Sequence, residues 1–124
     1  MKLKTKLMSF VLALALAASA FCVQAFAASL NRYGTYNGQD WGANLRVTTK
    51  SVSGSIGYNG KNSDSVKLEC FVTYTKDTGK GGTDRNVVTG KRTASYSNTY
   101  HYVHAGTIQW YINNTYISYM VTTP

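Results

Sequence analysis

Two histidines, a glycine-rich run flanked by cations and an unusual density of tyrosine are the residues of this 124-residue chain with chemistry to offer. His101 and His104 could each serve as a general base. No Gly-x-Ser-x-Gly elbow or comparable nucleophile motif accompanies them. Three residues apart, they point to opposite faces of a strand, so they converge on a metal only if the segment turns. No cysteine cluster completes a zinc site, and no acidic run has the spacing of a calcium loop. Asp40 beside Trp41 is the one acid next to a large aromatic. Glycoside hydrolysis needs a second carboxylate at a fixed distance, and turn capping accounts for Asp40 equally well. These residues point away from an enzyme, and neither a metal nor another cofactor is expected.

The run DTGKGGTD at 77–84 has the glycine content of a phosphate cradle without the spacing, or the following helix, of a P-loop. Lys76, Lys80, Arg85, Lys91 and Arg92 lie in and after it, five cations within 17 residues. Loop amides and clustered cations together could hold an anion; solvated loop charge is the plainer alternative. Past residue 27 the chain carries ten Tyr, two Trp and Phe71, thirteen aromatics in 97 residues, more than one small core needs. Tyrosine combines an apolar ring with a wet hydroxyl and suits a half-exposed contact face. Cross-strand packing is the structural alternative. Tyr100, Tyr102 and Trp110 join the five cations as candidate binding residues.

The elements that must position these groups begin after a targeting segment. Lys2, Lys4 and Lys6 precede an apolar run over 7–23, and Ala25-Phe26-Ala27 offers small residues where a signal peptidase reads. The run is slightly short for a span of about 20 residues, so a permanent membrane anchor is not expected. Bulky Phe21 argues against a lipid anchor on Cys22. Cleavage after Ala27 divides the chain into a 1–27 signal peptide and a single 28–124 domain. Thirteen Lys and Arg, less three in the signal, leave ten against five acids, a net charge of +5. An exported protein of that charge favours anionic partners. Nucleic acid fits the charge but not the export signal. Nothing in the sequence signals an oligomeric state.

Within 28–124 the pattern is strand throughout. Asn37-Gly38 marks a tight turn near Tyr33, Tyr36 and Trp41. Leu45, Val47 and Thr49 alternate with polar residues, and Val52, Gly54, Ile56 and Tyr58 continue with shifted parity, which predicts a bend or bulge near Lys50-Ser51. The segment VKLECFVTY at 66–74 places Val66, Leu68, Cys70 and Val72 on one face. Cys70 is the one cysteine left after cleavage, so no intrachain disulfide forms, and its parity predicts burial. A strand over 84–96, an aromatic and histidine segment at 100–106, and two runs joined by Asn113-Asn114 complete the domain. Six or seven short strands with a turn signal about every ten residues predict an all-β fold, a small antiparallel β-sandwich.

The stretch 66–112, with VKLECFVTY, DTGKGGTD, VVTGKRTASY and IQWYI, resembles the core of the lactococcin 972 type of bacteriocin. The resemblance covers about half of 28–124; the strand at 115–123 departs from the pattern. It implies a small exported β-sandwich acting on the lipid-linked cell-wall precursor of sensitive bacteria. With the charge, it sets the expectation of a secreted, non-enzymatic binding protein at an anionic bacterial surface polymer or that precursor. A structural or adhesive protein contacting glycan or a partner protein through tyrosine-rich strands is the alternative.

Overall fold

The computed structural model describes residues 27–124. The expected signal peptide, apart from its last residue, lies outside the described residues. Eight strands follow one another: β1 (Ala27–Tyr36), β2 (Gln39–Thr48), β3 (Ser51–Tyr58), β4 (Ser65–Thr75), β5 (Gly81–Lys91), β6 (Thr93–Thr99), β7 (Tyr102–Ile112) and β8 (Thr115–Thr122). They form two four-stranded antiparallel sheets, ordered β1-β2-β3-β6 and β5-β4-β7-β8. The domain is the expected all-β sandwich, with one or two more strands than the turn signals suggest.

Turn chemistry explains the hairpins that sequence locates. Asn37 and Gly38 both adopt left-handed backbone, at φ 50° and 74°, and pair Tyr36 with Gln39 across the β1–β2 turn. Such a two-residue turn matches the right-handed twist of the strands it joins. Asn113 and Asn114, at φ 48° and 65°, do the same between β7 and β8. The parity shift at residues 50–51 is not a bulge. The chain reverses there, pairing Val47 with Val52, so Trp41, Ala43, Leu45 and Val47 share the inner face with Val52, Gly54, Ile56 and Tyr58. Thr48 Oγ1 lies 2.7 Å from Ser51 Oγ and accepts the Lys50 N–H at 3.1 Å, closing the turn.

The expected strand over 84–96 is two strands in different sheets. Arg92, at φ 63°, breaks it. Its N–H donates to the Asp64 carbonyl at 3.1 Å, and its carbonyl accepts the Tyr58 N–H at 2.7 Å. These bonds fix the corner where β5 leaves one sheet and β6 enters the other. The segment 100–106 and the IQWYI run, in contrast, belong mostly to one strand, β7. The β4–β7 register shifts between Thr73 and Tyr74, which pair with Ala105 and Val103, so His104 is the extra residue of a bulge.

The core lies between the sheets. Leu45, Val47, Val52, Ile56, Leu68, Val72, Ile108, Trp110 and Ile112 are fully buried, and each such aliphatic side chain contributes about 1.5–3 kcal/mol by leaving water. Trp41 and Trp110 meet edge to face, 5.3 Å between centroids and 62° between planes. Cys70 is buried among them, and burial, with nearby Asp84, pushes its thiol up to about 12. One open side is tied across the sheets. Arg32 of β1 donates to Ser118 Oγ at 2.9 Å and to the Tyr119 carbonyl at 3.1 Å, both on β8.

Candidate binding face

Strand parity and register assemble a surface on the second sheet. The inward residues of β4 are Val66, Leu68, Cys70 and Val72, so Lys67, Glu69 and Phe71 point outward. Register then sets three rows across the outer face: Thr89–Lys67–Tyr111–Tyr116, Val87–Glu69–Gln109–Tyr119 and Arg85–Phe71–Thr107–Val121. Val87, Tyr116, Tyr119 and Val121 are each 44–53% exposed, high for large apolar side chains. Lys91, opposite Ser65, continues the face at its Asn113-Asn114 end.

A single carboxylate organises the centre. Glu69 is buried, and its Oε2 accepts hydrogen bonds from Arg85 at 3.0 Å and Gln109 at 3.3 Å, while Lys67 Nζ stands 3.8 Å from Oε1. Burial alone would raise its pKa. The hydrogen bonds from Arg85, Gln109 and Tyr111 outweigh that and hold the carboxyl below its ordinary value. The cations also lie over rings: Lys67 Nζ is 4.0 Å from the Tyr111 centroid and the Arg85 guanidinium 5.9 Å from that of Phe71. Tyr111 packs edge to face on Tyr116 at 5.6 Å. The result is a platform of aromatic and apolar side chains in which Lys67 and Arg85 are each held by Glu69 beneath and a ring beside.

The residues singled out from sequence are scattered over the molecule. Lys76 and Lys80 lie in the loop joining β4 to β5, Arg85 on the outer face, Lys91 at the opposite end of β5, and Arg92 on the corner beyond. At about 3.4 Å per residue, eleven-residue β5 separates the loop pair from Lys91 and Arg92 by roughly 35 Å. The five cations therefore form no single patch at the glycine-rich loop. Trp110 is fully buried and offers no contact surface. Tyr100 fills the gap between β5 and β6, where its hydroxyl donates to Asp84 Oδ2 at 2.7 Å and its ring packs 4.7 Å from that of Tyr74. Burial and these hydrogen bonds raise its pKa. Tyr102 is half-exposed, with its ring 5.1 Å from His104, whose Nε2 bonds Thr75 Oγ1. Among the described residues no three His, Cys, Asp or Glu side chains gather as a metal site.

Composition and loop clustering overlooked Lys67, Glu69, Val87, Gln109 and Val121. Alternation in VKLECFVTY carried the signal: placing Leu68 and Cys70 inside puts Lys67, Glu69 and Phe71 together outside.

No protein-family model matches the chain, and no curated protein matches it. Among solved structures, the X-ray structure of Northeast Structural Genomics Consortium target SoR45 is similar over 80% of this chain and 86% of its own, at 11% identity and a TM-score of 0.27. A likeness of that degree carries no argument about this protein, whose description rests on its own geometry: an all-β sandwich with one aromatic, basic outer face.

Proposed function

We propose that this is a secreted, non-enzymatic binding protein that holds an anionic bacterial surface polymer on the outer face of the β5-β4-β7-β8 sheet. One observation carries the reading: Lys67, Arg85 and Lys91 share that face with Tyr111, Tyr116 and Tyr119, with Glu69 as the opposing charge. Cations supply attraction to repeating negative charge, and tyrosine rings supply contact area at small cost in rotamer freedom. The signal-like N-terminus and the resemblance to the lactococcin 972 type agree with a wall-directed role. Antibacterial action belongs to the same proposal and is tested by growth inhibition with the purified 28–124 protein.

The test is co-sedimentation with purified anionic cell walls at low and moderate salt. Binding should weaken steadily with salt, since screening shortens to about 8 Å at physiological ionic strength. Lys67→Gln/Arg85→Gln/Lys91→Gln should bind far less than Lys76→Gln/Lys80→Gln. Equal losses would mean that charge acts through the whole molecule, with no site on this face. The side chains of Tyr119 and Val121, both over half exposed, favour the second reading, adhesion to neutral glycan or protein. Salt-insensitive binding that survives the triple substitution would select it.

A further inference from the structure

The turn end of the sandwich holds a feature that neither the binding face nor the folding of the corner explains. Four non-glycine residues have left-handed backbone among the described residues: Asn37, Arg92, Asn113 and Asn114. All four lie at this end. Three are asparagines in hairpin turns, where that conformation is ordinary. Arg92 is different. Its backbone makes the corner through its own N–H and C=O, work a glycine would do without the steric penalty of a Cβ. A non-glycine residue held there is a reason to ask what its side chain does.

Arg92 lines a cavity of about 470 Å³, together with Asn37, Gln39, Lys61, Asp64 and Asn113. This volume lies within the range of small-molecule sites. The walls are fixed. The Tyr58 hydroxyl donates to the Tyr36 carbonyl at 2.9 Å. Gly60 lies so close to the Tyr58 ring and Asp64 that any Cβ would collide with both. Asp64 is held in place: Oδ1 accepts Asn113 Nδ2 at 3.0 Å and Oδ2 accepts the Lys61 N–H at 2.7 Å. The Asn113 hydrogen bond, then that from Lys61, holds its carboxyl below the ordinary value. The side chains of Arg92, Lys61, Asn37 and Gln39 make no hydrogen bond or salt bridge among the described residues. Two cations and two amide residues thus line one cavity with a single carboxylate, Asp64, whose charge Lys61 partly offsets, leaving a net positive site.

We infer that this cavity binds one anionic sugar unit. Arg92 and Lys61 take its carboxylate or phosphate oxygens, and Asn37 and Gln39 take its hydroxyls. Arginine's planar fork suits either oxyanion. The site goes beyond the platform reading and does not require it. Lys91 sits at the end of the outer face and its neighbour Arg92 lines the cavity, so the two regions adjoin.

The experiment is an NMR titration of the folded protein with glucuronate, glycerol phosphate and, as neutral control, glucose. The side-chain amides of Asn37, Gln39 and Asn113 should shift saturably with at least one anion and not with glucose. Which anion does so separates a uronate-type carboxylate from a polymer phosphate. Arg92→Gly should weaken that binding at least tenfold and leave the melting temperature equal or higher, because glycine suits the backbone there. Arg92→Lys should retain part of the affinity. Absence of saturable shifts with both anions, equal binding by Arg92→Gly, equal binding of glucose, or a lower melting temperature for Arg92→Gly would each overturn the inference. Wall binding is not measured here, so failure of the platform proposal leaves this result readable.

Discussion

The two outer faces of this sandwich are built on the same pleat with different proportions of small polar, aromatic and charged residues. On the β1-β2-β3-β6 sheet, register places Ser29, Asn31, Tyr33, Asn44, Ser53, Ser55, Ser95 and Ser97 outward, with Arg46 among them; Tyr33 is half-exposed, whereas Asn44, Arg46 and Ser55 are buried. Asn44 binds Ser29 Oγ, the Leu30 carbonyl and Asn31 Oδ1 through one amide nitrogen. On the other sheet the outward positions are Lys67, Phe71, Arg85, Tyr111, Tyr116 and Tyr119 around a buried Glu69. The first sheet fills most of its outward positions with small polar side chains, Tyr33 and Arg46 excepted. The second gathers three tyrosines, Phe71 and two cations on one face, the grouping that the proposed contact role uses.

The sharpest test of that contrast lies beneath both faces. Trp110→Ala should cost about 3–5 kcal/mol by leaving a cavity against Trp41, read by denaturant unfolding. A stable variant that loses only binding would put Trp110 on the contact surface and upset the assignment of inside and outside. Next in size, Glu69→Ala should cost about 1–3 kcal/mol by leaving Arg85, Gln109 and Lys67 without their shared acceptor. Because the folded Glu69 pKa is lowered, its contribution is present above the ordinary carboxylate value and is lost as pH falls through the folded one. Thermal melts should show the wild type losing more stability below about pH 4 than Glu69→Gln does. If the two melt in parallel, the hydrogen bonds do not favour the charged form.

Transplanting one face onto the other comes next. Tyr111→Thr/Tyr116→Thr/Tyr119→Ser gives the second sheet the hydroxyl character of the first. The variant should fold and lose at least tenfold in wall affinity, about 1.4 kcal/mol. Unchanged co-sedimentation would return the rings to a packing role. The smallest effect is expected of Ser95→Ala on the first sheet, within about 0.5 kcal/mol in stability and without change in binding. A large binding loss there would reverse the comparison.

Much of the architecture was legible where local chemistry alone dictates backbone. Asn37-Gly38 and Asn113-Asn114 announce their turns because few residues tolerate φ above zero. Alternation in VKLECFVTY announces both faces of β4. The turn at Thr49-Lys50 was visible only as a parity fault, since neither residue is a turn former. The break at Arg92 carried no signal: Lys-Arg-Thr is unremarkable, and long-range bonds to Asp64 and Tyr58 impose its conformation. The cation cluster misled for a physical reason. Residues 76–92 are close in sequence, but an extended strand turns sequence distance into the largest spatial distance a chain can reach. Trp110 could have been placed inside by the alternation of Ile108, Trp110 and Ile112; an aromatic count alone does not see it.

The grip of Arg32 on the Tyr119 carbonyl has a consequence for the protein in bulk. β8 is a border strand with no charged residue between Thr115 and Thr122, the kind of border on which a foreign strand can grow as on a template. A guanidinium from the neighbouring sheet already occupies one of its acceptors and stands in the path of an incoming chain. Cys70, the one cysteine among the described residues, is a free thiol, so no disulfide within them limits fraying at that border. Arg32 thus covers one position of a border whose remaining backbone groups an incoming strand could pair with.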